Sequence, residues 1–207
     1  MTEQHHPTWA EINAIISQST PGRIQLQMAF ASSHQERRKL VEDAIDWIAQ
    51  EMTKTSHLRQ ERGEDEISID FVSMLKAMGF QAAHDTQYGG HCDVIVEGRD
   101  DFLWIAEAKV HSSYAWLEKG MAQLSTRYST GLDGQDCGEI LVYTYQRRLD
   151  HIMLEWADRL KAAVSGIQID QIDMDKLTFL SVHEHENTGR PFRIRHKGVT
   201  LHFAPTA

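Results

Sequence analysis

Residues 102–110 read FLWIAEAKV, an apolar strand-length run that carries two full charges, Glu107 and Lys109. A core strand tolerates a carboxylate and an ammonium only where they are paired or hold an ion, because taking a charge out of water is costly. Side chains alternate along a strand, so Glu107 and Lys109 project from the same face. Just upstream, residues 91–97 read HCDVIVE, a second strand that opens on Asp93. The Arg99-Asp100-Asp101 connection between the two runs is turn-like, so they read as a hairpin that sets Asp93 near Glu107.

An acid-x-Lys triplet alone is worth little, since about one is expected by chance in a chain of this composition. Its position late in an apolar strand, after a strand opening with aspartate, is much rarer. Two carboxylates a few ångströms apart raise each other's pKa, and a divalent cation relieves that penalty. Magnesium takes a few carboxylates and completes its shell with waters and phosphate oxygens. A neighbouring lysine can orient the attacking water or meet charge developing on phosphorus. The set suits metal-assisted phosphodiester hydrolysis.

The rest of the chain frames this hairpin. Residues 9–17 read as a short helix stopped by Ser-Thr-Pro-Gly at 19–22, and 23–33 are ambiguous with a helical leaning. Residues 34–52 carry an apolar stripe of Leu40, Ala44, Trp47, Ile48 and Met52 at helical spacing, and 53–63 look like a polar connector. A helix over 64–78 ends at Gly79. Strands are expected at 80–84, 91–97, 102–110 and 138–145, with a turn at Gly89-Gly90, helices at 114–128 and 147–165, and terminal strands at 177–183, 191–196 and 199–203. The expected fold is α/β, an α-β-β-β-α-β core with a mixed central sheet, a helical N-terminal extension (1–63) and a β-rich C-terminal tail within 64–207.

Charge is uneven. The net charge is −9, and residues 64–110 hold ten acidic against three basic side chains. Such a chain lacks the broad positive potential of a sequence-neutral nucleic-acid coat. The exception is the tail from Asn187 onward, where Arg190, Arg193, Arg195 and Lys197 occur without an acid and make the best candidate substrate contacts. No run is long and apolar enough for a membrane span, and two cysteines (Cys92, Cys137) make no disulfide framework, so a reducing cytoplasm is expected.

Three segments, GGHCDVIVE, WIAEAKV and AQLSTRY, resemble the PD-(D/E)xK, or restriction-endonuclease-like, nuclease superfamily over roughly residues 64–145. The resemblance implies that Asp93 and Glu107 bind magnesium, with manganese able to substitute, that the backbone carbonyl of Ala108 assists, and that Lys109 positions the water. It also implies an acid on the preceding helix, for which Glu66 is the best match and Glu64, Asp65 and Asp70 are rivals. Members similar to RecB carry Q-x3-Y on the next helix; this chain has Gln123 and Tyr128, one residue wider. Lys119, one turn before Gln123, and Tyr128 are further candidates to touch substrate. Cys92 stands where the superfamily often has proline.

The expectation is a magnesium-dependent nuclease acting on DNA, with RNA as the other substrate, working as a homodimer or with a partner protein, in a setting such as bacterial defence. A non-cleaving nucleic-acid- or nucleotide-binding subunit on the same fold is the main rival. His183-Glu-His185 could hold a metal on one strand face, but no third ligand stands out. His183, His196 and His202 are expected to touch substrate or pack near the site edge. His91 reads as a solvated turn residue, and Cys92 lacks a positioned base for nucleophilic work.

Overall fold

The computed structural model describes residues 6–87, 91–128 and 130–205, without the side chains of Gln87, Arg127 and Tyr128. The expected Gly89-Gly90 turn lies outside the described residues. The helices are α1 (Trp9–Ile16), α2 (Thr20–Phe30), α3 (His34–Lys54), α4 (Glu64–Ala77), α5 (Tyr114–Gln123) and α6 (Leu149–Ala163). The strands are β1 (Gln81–Ala83), β2 (Thr86–Gln87), β3 (His91–Cys92), β4 (Val94–Glu97), β5 (Leu103–Val110), β6 (Cys137–Thr144), β7 (Gln168–Ile169), β8 (Thr178–Glu184) and β9 (Pro191–Thr200).

Seven strands form a mixed sheet in the order β1-β4-β5-β6-β9-β8-β7, and β2 and β3 make a small separate ladder. The β5–β6 and β6–β9 pairs are parallel, and every other pair is antiparallel. Crossover helices α5 and α6 serve the parallel connections, as such pairs require. Two apolar layers result. Val94, Val96, Trp104, Ala106, Ala108, Leu141, Tyr143 and Val199 face α3 and α4, while Ile95, Leu103, Ile105, Ile140, Val142 and Ile194 face α5 and α6. The chain is thus an α/β three-layer structure with a mixed sheet.

The segment before Glu64 is part of this core. Ile45, Ile48 and Met52 of α3 are fully buried in the same cluster as α4 and the sheet. At about 2 kcal/mol for each such side chain, this burial fixes α3 firmly. By contrast α1 buries no residue and meets α2 through the edge-to-face pair of Trp9 and Phe30.

Several element boundaries differ from the sequence expectation. The Ser-Thr-Pro-Gly run starts a helix as well as stopping one: Ser19 caps α2 and Pro21 lies in its first turn, where a missing N–H costs nothing. The strand expected over 91–97 breaks at Asp93 into β3 and β4. The helix expected over 114–128 ends as α at Gln123 and continues as one π turn, Leu124–Tyr128. The two last strands are one, because Gly198 is not a break. A Cβ there would lie 2.9 Å from Leu149 of α6, so the glycine permits close packing inside a continuous β9.

The β4–β5 hairpin forms as expected. Asp100 and Asp101 both take positive φ (59° and 58°), the turn geometry that matches the right-handed twist of paired strands. Arg37 of α3 donates to Asp100 Oδ2 at 2.7 Å, tying the hairpin tip to the helix.

Candidate active site

Pairing of Val94 with Ala106 places Asp93, the next residue out, beside Glu107. Asp93 Oδ2 accepts the Ala108 N–H at 2.7 Å, so the strand break turns this carboxylate across the neighbouring strand. Glu107 and Lys109 share the α5-facing side of β5 and are 2% and 4% exposed. Lys109 Nζ donates to Glu107 Oε1 at 2.6 Å and to the Ala108 carbonyl at 2.9 Å. Space for these long side chains comes from Gly120 of α5, where a Cβ would sit 3.1 Å from Lys109 Cγ and 3.4 Å from Glu107 Cγ. Even an alanine at 120 would require the pair to give by a few tenths of an ångström.

The fourth member is Glu64, the first residue of α4. Its Oε1 accepts from the Val110 N–H (3.0 Å) and the Trp116 indole N–H (2.7 Å), and its Oε2 lies 3.5 Å from Lys109 Nζ. Glu66, the favoured sequence candidate, is not brought to the cluster. Its Oε2 accepts the Gly63 N–H at 3.0 Å and closes the start of its own helix. Asp70 is held by Arg59 and Arg62, and Asp65 is highly exposed. Loss of Glu66 through Glu66→Ala is expected to cost at most about 1 kcal/mol. Glu64→Ala strips two donors of a charged acceptor and should cost about 1.5–3 kcal/mol, measured as urea unfolding free energies.

The electrostatics mark this cluster as strained. Burial, then the Asp93 charge, pushes the Glu107 carboxyl up to about 7, against the pull of Lys109. Burial likewise raises Asp93, with the Ala108 N–H and Lys109 opposing. Burial works against the Lys109 ammonium, but Glu107, Glu64 and Asp93 outweigh it and hold Lys109 above the usual lysine value. Among the described residues, Glu107 Oε2 is buried without a hydrogen-bond partner. A carboxylate oxygen left bare in a buried acidic cluster is the kind of group a cation satisfies.

The donors fit a hard divalent ion. Two carboxylates, Asp93 and Glu107, and the Ala108 carbonyl are all oxygen ligands, the set that magnesium or manganese takes with waters and phosphate oxygens. Among the described residues no three His, Cys, Asp or Glu side chains converge as a ready-made metal cage.

The remaining candidates divide sharply. Gln123 follows Gly120 by one turn of α5, and its Oε1 is buried without a hydrogen-bond partner among the described residues. The π turn after it bonds i to i+5, so positions 123 and 128 recur as an i, i+4 pair does in an α-helix. That absorbs the extra residue between Gln123 and Tyr128; the Tyr128 side chain lies outside the description. Lys119 is exposed, with Nζ 4.7 Å from the Trp116 ring centroid.

Arg193 and Arg195, read as substrate contacts, are structural. They face α3, where Arg193 pairs with Glu42 at 2.5 Å, and Arg195 with Asp46 at 3.0 Å and with fully buried Glu139 at 2.7 Å. Lys197 joins through Asp46 at 3.3 Å. Arg190 is exposed at the turn before β9.

The histidines move away from the site as well. His196 is buried, stacked on Phe179 at 4.3 Å, and accepts the Trp156 indole N–H at Nδ1 (3.0 Å). Its Nε2 then carries the proton and donates to Ser181 Oγ at 2.8 Å. Burial lowers it to about 3, so it is a neutral core residue. His202 bonds the Tyr145 carbonyl, His183 meets Phe192 edge-to-face, and exposed His91 bonds Asp85 at 2.6 Å. The Cys92 thiol is fully buried, donates to the Val94 and Ala106 carbonyls, and is pushed far up by burial, so it is no nucleophile. Sequence reasoning missed Trp116, although an aromatic one turn before Lys119–Gly120 could have suggested it.

Compared with known proteins, the chain matches no family model, no curated protein and no solved structure. Its functional reading therefore rests on the geometry of this cluster and on the sequence motifs. No helix among the described residues is long and apolar enough to cross a membrane.

Proposed function

We propose that this chain is a metal-dependent nuclease of the restriction-endonuclease-like type that hydrolyses phosphodiester bonds of DNA. The observation that carries the reading is the bare, buried Glu107 Oε2 next to Asp93, on the same strand face as a lysine held by three carboxylates. A structural Glu–Lys pair would not need a second, raised carboxyl beside it, since replacing such a pair by apolar residues is often neutral or stabilising.

Asp93, Glu107 and the Ala108 carbonyl would hold magnesium, which supplies Lewis-acid polarisation of a phosphoryl oxygen and makes water a better nucleophile. Lys109 keeps its proton under the three surrounding carboxylates. Its ammonium can hydrogen-bond the attacking water and the phosphoryl oxygens as negative charge builds there. Glu64 fixes Lys109 from the far side and anchors the first turn of α5 through Trp116. Gln123 can turn its amide toward a phosphate from the same helix face. The site lies toward the carboxyl end of β5, beside the N-termini of α4 and α5, where open α/β sheets commonly bind ligands.

Wild-type protein is expected to nick supercoiled plasmid in magnesium or manganese and not in EDTA. No cation-dependent scission of DNA or RNA across a broad range of salt and pH would favour a non-cleaving binding subunit.

A further inference from the structure

The cluster borders an open cleft of about 480 Å³, lined by Trp116, Val110, Arg62, Glu64, Asp65 and Glu66. Its one aromatic wall is held in place: the Trp116 indole N–H donates to Glu64 Oε1 at 2.7 Å, and Glu64 Oε2 in turn faces Lys109. Two ammoniums lie close to the ring, Lys109 Nζ at 5.2 Å and Lys119 Nζ at 4.7 Å from its centroid. The ring is half-buried and belongs to neither apolar layer of the core.

Resting on the nuclease reading, we propose that Trp116 is a stacking platform for an unpaired base next to the scissile phosphate, so that the substrate at this site is single-stranded DNA. Three features of the cleft support this. An indole fixed at its edge is a preformed π surface, and stacking accepts any base. The Asp65 and Glu66 carboxylates on the rim repel phosphate but can accept N–H groups from a base edge. Lys109 and Lys119, both close to the ring centre, suit phosphates next to a stacked base. A paired base is shut inside its own stack and could reach the ring only after flipping, which costs several kcal/mol in general.

Charge argues the same way. A duplex binder draws its affinity from many phosphate contacts, each made by a cation. Arg193 and Arg195 are consumed by Glu42, Asp46 and Glu139, and the net charge is −9. Stacking offers binding energy that does not depend on a broad positive surface.

The test uses initial rates in magnesium on single-stranded and duplex oligodeoxynucleotides of equal length and mixed sequence, with wild type, Trp116→Leu and Trp116→Phe. The single strand should be the better wild-type substrate. Trp116→Leu should raise KM for it about 5- to 100-fold, the range that loss of one stacked base allows, with any fall in kcat shared by Trp116→Phe, which loses the same indole N–H to Glu64. Trp116→Phe, which keeps a ring but lacks the indole N–H, should restore KM to within about threefold. Thermal melting of both variants controls for folding. A Trp116→Leu protein with wild-type KM, a phenylalanine variant as weak as the leucine one, or a wild-type preference for duplex would each overturn the platform while leaving the nuclease reading intact. Wild type that cleaves neither strand form would end both.

Discussion

Glu107→Gln is expected to abolish magnesium-dependent scission, lowering kcat by at least about 10²- to 10³-fold, the scale of loss when a single preorganised transition-state-stabilising group is removed. The same change should leave the fold intact, because glutamine is isosteric and Lys109 keeps the Ala108 carbonyl and Glu64 as partners. A second readout separates this account from simple damage. Glu107 has a folded value of about 7 against an ordinary 4.5. A carboxyl raised in this way binds more protons in the folded state between those values, so its contribution to stability falls as pH rises through that window. In EDTA, the difference in unfolding free energy between Glu107→Gln and wild type should therefore move in favour of the variant from pH 5 to pH 8. A difference that is flat in pH would mean the carboxyl is not strained.

Arg195→Ala is expected to destabilise the protein by about 3–5 kcal/mol, measured by urea unfolding. Arg195 lies between Glu139, with no solvent exposure, and Asp46 of α3, and it also donates to the Glu42 carbonyl. Burial pushes Glu139 up to about 7 even with the guanidinium present, so removing Arg195 leaves an unpaired buried acid. Replacing both partners, as Arg195→Met with Glu139→Leu, should recover most of the loss, because an apolar pair of similar volume avoids the desolvation cost. Cleavage by the double variant should stay near wild type, since this network faces α3 and the active cluster faces α5. A large loss of cleavage there, with stability recovered, would return these arginines to the substrate.

The strand that carries Glu107 was readable in the sequence, and the partners of Arg195 were not. β5 was legible because two charges in FLWIAEAKV break a pattern that has only one other explanation, a core strand with a cost. The hairpin followed from the Arg99-Asp100-Asp101 turn, and the α/β order from the switch between periods of 3.6 and 2. Three acids in a row, Glu64, Asp65 and Glu66, point about 100° apart around a helix. Which of them meets Lys109 depends on how α4 sits against β5, and no local signal carries that. Arg193 and Arg195 look like a basic tail in one dimension. Their partners Glu42 and Asp46 lie some 150 residues earlier, on a helix whose charged positions read as ordinary solvated surface. The break at Asp93 and the π turn after Gln123 are single-residue irregularities, and periodicity smooths over both.

The central claim is that Asp93, Glu107 and the Ala108 carbonyl grip one divalent cation beside Lys109. Anomalous scattering from crystals of the protein soaked in manganese tests it directly. The account predicts a dominant anomalous peak within coordination distance of Asp93 and Glu107, lost in Glu107→Gln crystals. A peak elsewhere, or none between these two carboxylates at saturating manganese, would contradict it.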